Sequence, residues 1–589
     1  MTALILTFLI LIPYFSYDDD NVLSKYFTFS VSLSFAYAFL GLVGMILVFT
    51  KITYLPLTLI LFFILFSLLF RPFFRTQLFN FFRLFFYEIN TTKKQLIYKK
   101  TYIFFYFIIF TLLISSIGPI NHSDTANIYV GYPYQFLKNN SHFIDGNLNQ
   151  GLLGIGDFAN IFYFKDNTSW LIRSSQFIPL FFVFLLILKR KIPNIIILIF
   201  LTSPVFLQWL TIGKNNFLIE TCLSIAFLVW EEKKDKKYLV NILSLIFIAI
   251  SFKVSSILIC LPIIFYISYY YRDEISKFKI GYIFNLLKAP LIISLLSLIS
   301  ILSYRNFLIN NPTYPLFSTF FNSGNQQLID WENTLRGWDR NGLFPLWLFI
   351  PKSFGKISFV LGPANFLLFS IIIFSFFKRL FVNNVKLVIS ILQFSLLILF
   401  AQGRADYYMS PLIFLIFGFN KDLLFNIRNF IIFDKSFLTK NFLIITIIIQ
   451  CLMFFISSLY SIMLLGFVLK DYEMGMNKTA YNFYNSKKIE RIASGPVMNK
   501  ISGTTNLYFN GNYISNHKFN KCFYYDKTIS QDQKYNECVN QLGIKTIIVK
   551  KDELKNNPNF LCKSEFLKIV SRNIFLEKRV DVDFCIRNN

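Results

Sequence analysis

One polar segment stands out because it carries an acid directly beyond the end of an apolar run. The segment reads NHSDTANIY over residues 121–129 and follows a run that ends near Gly118. A carboxylate at that place would lie at the membrane surface, where Asp124 could accept a proton from an attacking hydroxyl. His122 is a candidate auxiliary group, and Tyr129 is a candidate binding residue. The alternative for Asp124 is a solvated loop acid or a helix N-cap, a position that Asp favours.

Basic residues occupy short turns between other apolar runs. Lys214 lies in TIGKNN, residues 211–216, and Arg404 lies in QGRADYY, residues 402–408. In the topology derived below both break the bias toward positive charge on the cytoplasmic side. Arg binds phosphate bidentately and Lys binds it as a point charge, so both are candidate phosphate-binding residues. Lys253 is a third candidate, in a tight turn; the alternative for such residues is snorkelling toward lipid phosphate.

One acid, Glu220, lies inside an apolar run. An ionisable side chain is costly at that depth, so a partner or a wet cavity is expected. Glu220 is therefore a further candidate binding residue. The alternative is structural pairing with a neighbouring basic residue.

The segments that must position these residues are long and apolar. The chain is 55% hydrophobic, has a mean hydropathy of +0.53 and is 15% charged, whereas a soluble chain averages about 25% charged residues. The pattern predicts an all-α polytopic membrane protein with about 12–14 transmembrane helices. The apolar segments lie near residues 3–17, 27–50, 53–70, 102–118, 174–188, 193–210, 216–230, 238–252, 254–270, 286–303, 344–377, 385–401, 408–419 and 441–468. Within 344–377 the crossing is expected to begin near Ile357.

Basic clusters orient these segments. The stretch 71–100 holds seven Lys and Arg residues against one acid, Glu88, and should be cytoplasmic. Alternation from there puts every other strong basic cluster on the same side. It predicts N-terminal helices over 1–118, an outer loop over 119–173, a membrane core over 174–468 with a second outer loop over 304–343, and an exported domain over 469–589. The Asn-, Lys- and Ile-rich composition fits an AT-rich bacterial genome, so a bacterial inner membrane is the expected location.

The tail holds four of the seven cysteines, Cys522, Cys538, Cys562 and Cys585. On an oxidising side they suggest two disulfides, with three possible pairings. A zinc site is disfavoured because no CxxC spacing occurs. A β-branched run over 545–549 after an expected helix predicts a small α/β extracytoplasmic domain.

Several function classes lack support. The net charge of +26 is spread over clusters between apolar runs, so it indicates topology, and nucleic acid is not an expected partner. The sequence holds no GxxxxGK[ST], HExxH or GxSxG motif. Nucleotide hydrolysis, zinc proteolysis and serine hydrolysis are therefore not predicted.

The layout resembles the GT-C class of glycosyltransferases, which includes protein O-mannosyltransferases and the aminoarabinose transferases that modify lipid A. The resemblance rests on many spans, a first outer loop that opens with Asp124 and continues through Tyr129, Tyr132 and Pro133, and an exported domain. It implies a polyprenyl-phosphate-linked sugar as donor, a lipid, glycan or protein acceptor, and Asp124 as the catalytic acid. The usual paired acids are replaced by Ser123 and Thr125, so no metal cofactor is predicted.

Other function classes stay open. A polymerase, ligase or flippase of surface polysaccharide would share the lipid-phosphate chemistry and would depend on outer arginines such as Arg404 more than on Asp124. A transporter would be expected to show internal repeats, and none is evident by eye. A non-catalytic scaffold built around the tail is a third possibility.

Overall fold

The protein is described here by a computed structural model. The described residues are 1–16, 22–50, 54–97, 100–117, 128–130, 132–133, 136, 148–165, 171–190, 192–275, 289–324, 326–337, 340, 342–377, 384–419, 437–469, 492–494, 546–550, 560–570 and 577–587.

Helices dominate these residues and occupy every apolar segment found in the sequence. The first seven are α1 (Thr2–Phe15), α2 (Val22–Thr50), α3 (Tyr54–Leu69), α4 (Pro72–Ile97), α5 (Lys100–Ser116), α6 (Ile155–Phe158) and α7 (Ile161–Lys165). The next seven are α8 (Ser174–Lys189), α9 (Asn194–Leu201), α10 (Val205–Ile212), α11 (Asn215–Lys233), α12 (Lys236–Phe252), α13 (Ile257–Tyr270) and α14 (Arg272–Ile275). The last seven are α15 (Ala289–Ile309), α16 (Ser318–Phe321), α17 (Gln326–Gly337), α18 (Pro363–Phe377), α19 (Val385–Phe400), α20 (Met409–Gly418) and α21 (Phe437–Leu469).

Within the described ranges, four segments are long and apolar enough to cross a membrane: Leu23–Thr50, Pro290–Ile309, Lys356–Ile373 and Asn441–Leu459. Two bent pairs raise the number to six if each pair is one span; they join α3 to α4 at 96° and α9 to α10 at 48°. Shorter apolar helices include α1, α8, α13, α19 and α20. The structure is thus compatible with a multi-pass, mostly helical membrane protein.

The centre of the bundle is α11, whose side chains are buried from Asn215 to Trp230. It packs against α2, α8, α12 and α20. The outer helices α3, α5, α15 and α21 instead expose many Phe, Ile and Leu side chains, as expected for surfaces that contact lipid. A polar N-cap begins α12, where Asp235 accepts a hydrogen bond from the Lys237 N–H at 3.0 Å.

The two ends of the bundle carry different charged groups. At one end, the C-terminus of α11 holds Glu231 and Glu232; Lys386 Nζ lies 3.5 Å from Glu231 Oε2, and Arg190 pairs with Glu232. The N-terminus of α11 marks the opposite end, where Lys214 lies.

The crossing expected to begin near Ile357 corresponds to the apolar segment Lys356–Ile373. It starts with a 3-10 turn over Phe354–Phe359, and its α-helix begins at Pro363. Proline suits a first helical position, and Gly362 before it has φ +103°. The basic stretch after Arg71 forms the long helix α4.

In the tail the described residues form a sheet of four strands: β1 (Ile492–Ser494), β2 (Thr546–Lys550), β3 (Phe560–Val570) and β4 (Glu577–Arg587). The order is β1-β2-β4-β3, with β1 parallel to β2 and the other pairs antiparallel. The backbone register sets Cys562 opposite Cys585. Cys522 and Cys538 lie outside the described residues, and the disulfides remain a prediction.

Candidate functional site

Three cations come from three separate turns at the same end of the bundle. Lys214 lies between α10 and α11, Lys253 ends α12, and Arg404 lies between α19 and α20. The charges of Asp406, Glu220 and Arg404 all act on the Lys253 ammonium group. Residues up to 249 positions apart in the sequence therefore meet in one cluster. We call it the outer cluster because its turns are predicted to be extracytoplasmic; it is formed by Lys214, Lys253, Arg404, Asp157, Glu220 and Asp406.

Backbone geometry places Lys214. Gly213 ends α10 in the left-handed region, with φ +69° and ψ +31°, which a residue without Cβ adopts without strain. Lys214 then becomes the N-cap residue of α11 and is 3% exposed. Its Nζ lies 4.9 Å from the ring centroid of Tyr129, a cation–π contact. The first outer loop thus contacts the cluster through Tyr129.

Asparagine side chains hold that loop in place. Asn160 Nδ2 donates to the Tyr129 carbonyl oxygen at 3.2 Å. Asn215 Nδ2 in turn donates to Asn160 Oδ1 at 3.1 Å and to the Gly156 carbonyl oxygen at 2.7 Å. The N-terminus of α11 and the first outer loop are therefore joined by buried hydrogen bonds, each of which is costly to break.

The environment of Lys253 is aromatic and acidic. Its Nζ lies 4.1 Å from the ring centroid of Tyr407. Burial lowers the pKa of Lys253, and the carboxylates of Asp406 and Glu220 oppose that shift. The Lys253 ammonium group thus interacts with one acid of α11 and with one acid of the turn between α19 and α20.

Arg404 is paired within its own turn. Its Nε lies 3.2 Å from Asp406 Oδ1, and Asp406 is 1% exposed. Trp209 Nε1 donates to the Asp406 carbonyl oxygen at 2.9 Å, which fastens the turn to α10. Arg340, from the second outer loop, donates to the Ile398 and Ala401 carbonyl oxygens and so caps the end of α19.

Glu220 lies one turn and a half into α11. Its Oε1 accepts hydrogen bonds from Ser256 Oγ at 2.8 Å and from Asn216 Nδ2 at 3.4 Å. Its Oε2 accepts none from the described residues. The sequence predicted a partner for this acid. The structure provides two neutral hydrogen-bond donors and the nearby positive charge of Lys253.

An acid that the sequence analysis missed, Asp157, belongs to the same cluster. It caps α6, and its Oδ2 accepts the Gly154 N–H at 2.8 Å. Burial raises the pKa of Asp157 to about 7, against the opposing effects of the Gly154 N–H and of Lys253, Lys214 and Arg305. The sequence feature that could have pointed to Asp157 is the motif Gly-Ile-Gly-Asp at residues 154–157.

Those two glycines let the first outer loop approach α12. A Cβ on Gly154 would lie 1.8 Å from the Phe252 carbonyl oxygen, and one on Gly156 would lie 2.1 Å from the Phe252 ring. Arg305 of α15 fixes the loop from the other side, because its Nε donates to the Gly151 carbonyl oxygen at 2.9 Å. Asp157 is thereby held next to the residue that precedes Lys253.

Of the candidate residues named from the sequence, four belong to the outer cluster: Lys214, Lys253, Arg404 and Glu220. A fifth, Tyr129, lies at its edge. Asp124 and His122 lie outside the described residues. With Arg305 the cations number four against three acids, and burial raises the pKa of one of these, Asp157, to about 7, so a phosphate could replace part of the internal pairing. Across the described ranges, no group of three or more His, Cys, Asp or Glu residues is arranged to hold a metal ion.

No protein-family model, no curated protein and no solved structure matches this chain.

Proposed function

We propose that the protein is a GT-C-like glycosyltransferase that moves a sugar from a polyprenyl-phosphate donor to a lipid, glycan or protein acceptor at the outer face of a bacterial inner membrane. The observation that carries the proposal is the convergence of Lys214, Lys253 and Arg404 at one end of the bundle. Cations are costly near hydrocarbon. Binding of an anionic ligand would explain why three of them lie together there.

The proposed step is a displacement at the anomeric carbon. The acceptor hydroxyl oxygen bonds to that carbon while the bond from the carbon to the phosphate oxygen breaks. Asp124 accepts the hydroxyl proton. The polyprenyl phosphate leaves with the bonding electrons, and Lys214 and Arg404 stabilise its negative charge.

Other residues of the cluster would prepare the site. The ring of Tyr129 offers an apolar face to a sugar, and its contact with Lys214 would position that cation. Glu220 of α11 and the nearby Lys253 would provide polar groups at the base of the site. His122 would assist Asp124 as an auxiliary group.

The role proposed for Asp124 is supported by its closeness in sequence to Tyr129, which contacts the cluster. Asp124 precedes Tyr129 by five residues, and an extended chain of five residues reaches at most about 18 Å. A proton acceptor in the opening segment of the loop is thus within chain reach of Lys214.

The proposal includes the finer topology. It counts about 12–14 crossings, exports the first outer loop and the tail, and keeps the tail as an α/β domain closed by disulfides. A sheet of four strands and the Cys562–Cys585 register support the last part.

The experiment is turnover by the purified chain in vesicles, with a panel of undecaprenyl-phosphate sugars and release of undecaprenyl phosphate as readout. Asp124→Asn should lower the rate at least about 100-fold, because a positioned base contributes about 10²–10⁴. Lys352→Gln, at an exposed lysine that is not part of the cluster, is the matched control. Full turnover by a folded Asp124→Asn protein would refute the role of Asp124; if Arg404→Gln alone stopped activity, a polymerase, ligase or flippase would be favoured.

A further inference from the structure

The helix α4 departs sharply from the direction of its neighbour. It makes an angle of 96° with α3 across a break of two residues. The helix α3 is apolar and exposes Leu59, Phe62 and Phe66, so lipid is the medium that suits its surface. If α3 crosses the membrane, α4 lies nearly parallel to the membrane plane.

One side of α4 is fixed to the bundle. The ring of Phe85 stacks on Phe182 of α8 with centroids 5.2 Å apart. Glu88 Oε1 lies 3.1 Å from Lys189 Nζ and accepts a hydrogen bond from the Tyr26 hydroxyl at 3.2 Å. These contacts set the rotation of α4 about its axis.

The remaining surface of α4 carries exposed aromatic and basic side chains next to one another. Successive residues of a helix turn by about 100°, which puts Phe86 within about 20° of Phe79, with Arg75 about 40° to one side of Phe79 and Arg83 about 40° to the other. Phe79 is 64% exposed and Phe86 is 59% exposed. The helix therefore has a protein side and an exposed strip in which Phe side chains lie between two arginines.

The exposed charges of this helix are all positive. Arg75 and Arg83 are exposed, as is Arg71 just before the helix, and none of them has an ion pair within the described part of the chain. The acid of residues 72–90, Glu88, is buried against Lys189. Arginines on either side of exposed Phe side chains are complementary to an anionic lipid surface.

We propose that α4 is an in-plane helix that binds anionic phospholipids, with Phe79 and Phe86 among the acyl chains and Arg75 and Arg83 on the head-group phosphates. This surface lies at the end of the bundle where Lys189 is found, opposite the outer cluster, so it is independent of the proposed glycosyl transfer.

The first test measures binding of dioleoylphosphatidylglycerol and of dioleoylphosphatidylcholine to the full chain by native mass spectrometry. Each basic residue near an anionic surface contributes about 1 kcal/mol. The Arg75→Gln/Arg83→Gln double variant should therefore bind phosphatidylglycerol about 30-fold more weakly, with phosphatidylcholine binding unchanged. The matched control is Lys352→Gln/Lys356→Gln, which removes two exposed charges elsewhere. Equal phosphatidylglycerol affinity in the wild type and the Arg double variant would overturn the proposal.

The second test locates the exposed strip. A photoreactive p-benzoylphenylalanine placed at Phe79 should give phospholipid adducts in vesicles of phosphatidylglycerol and phosphatidylcholine, and the same group at Phe85, which stacks on Phe182, should give none. Adducts of position 79 with a second protein chain, or equal lipid adducts at both positions, would contradict the proposal.

Discussion

Replacing Gly154 with alanine tests whether the first outer loop is pressed against α12. The new Cβ would lie 1.8 Å from the Phe252 carbonyl oxygen, and real Cβ atoms essentially never come closer than 3.0 Å. The loop and α12 must then separate by at least about 1.2 Å. The neighbour is backbone, so no side-chain rotation relieves the overlap.

The cost should be at the upper end of the 1–3 kcal/mol typical of overpacking, about 3 kcal/mol. Thermal unfolding of the purified chain in detergent should show a clear loss of stability for Gly154→Ala. Gly324→Ala is the matched control, since its Cβ would meet no heavy atom within 4 Å, and it should stay within about 0.5 kcal/mol of the wild type. Equal stability of the two variants would refute the close approach and the position inferred for Asp157.

Further predictions concern Asp157, Arg305 and the tail. Folded Asp157 keeps its proton up to pH about 7, while the unfolded carboxyl, with pKa 3.8, loses it near pH 4; the fold therefore becomes less stable as pH rises between these values, and Asp157→Asn should remove that part of the slope in pH-dependent unfolding. Arg305→Gln should cost about 2–3 kcal/mol in unfolding measurements, because the Gly151 and Leu153 carbonyl oxygens lose a charged donor. Non-reducing peptide mass spectrometry should recover Cys562 linked to Cys585, and recovery of both as free thiols from exported protein would contradict the proposed pairing.

The helices could be predicted from the sequence because long apolar runs leave few alternatives. Hydropathy alone predicts where α2, α11 and α21 lie. It does not predict how a run is divided: α9 and α10 share one apolar run and bend by 48°, and the crossing expected near Ile357 opens with a 3-10 turn before its α-helix begins at Pro363. Such breaks depend on contacts between distant segments.

Charge placement was informative where it broke a rule. Lys214, Lys253 and Arg404 were recognised because positive residues are unusual on that side of a membrane protein, and the structure brings them together. Their role in binding remains a prediction. The same counting of charges treated 71–100 only as a cytoplasmic basic segment, since it ignores the helical spacing that puts Phe79 and Phe86 between Arg75 and Arg83.

Asp157 could not be found by these means. It lies in a long loop without periodicity, and its burial depends on Phe252 and Arg305, which are 95 and 148 residues further along the chain. Sequence spacing carries no record of such long-range packing. Its one local sign was the pair of glycines at 154 and 156.

The most direct test of the central claim is the affinity of the purified chain for undecaprenyl phosphate. If the outer cluster binds phosphate, Lys214→Gln and Arg404→Gln should each weaken binding roughly tenfold or more, as expected for the loss of one charged hydrogen bond. Lys352→Gln should bind like the wild type. Unchanged affinity in both cluster variants, with the protein folded, would contradict the account.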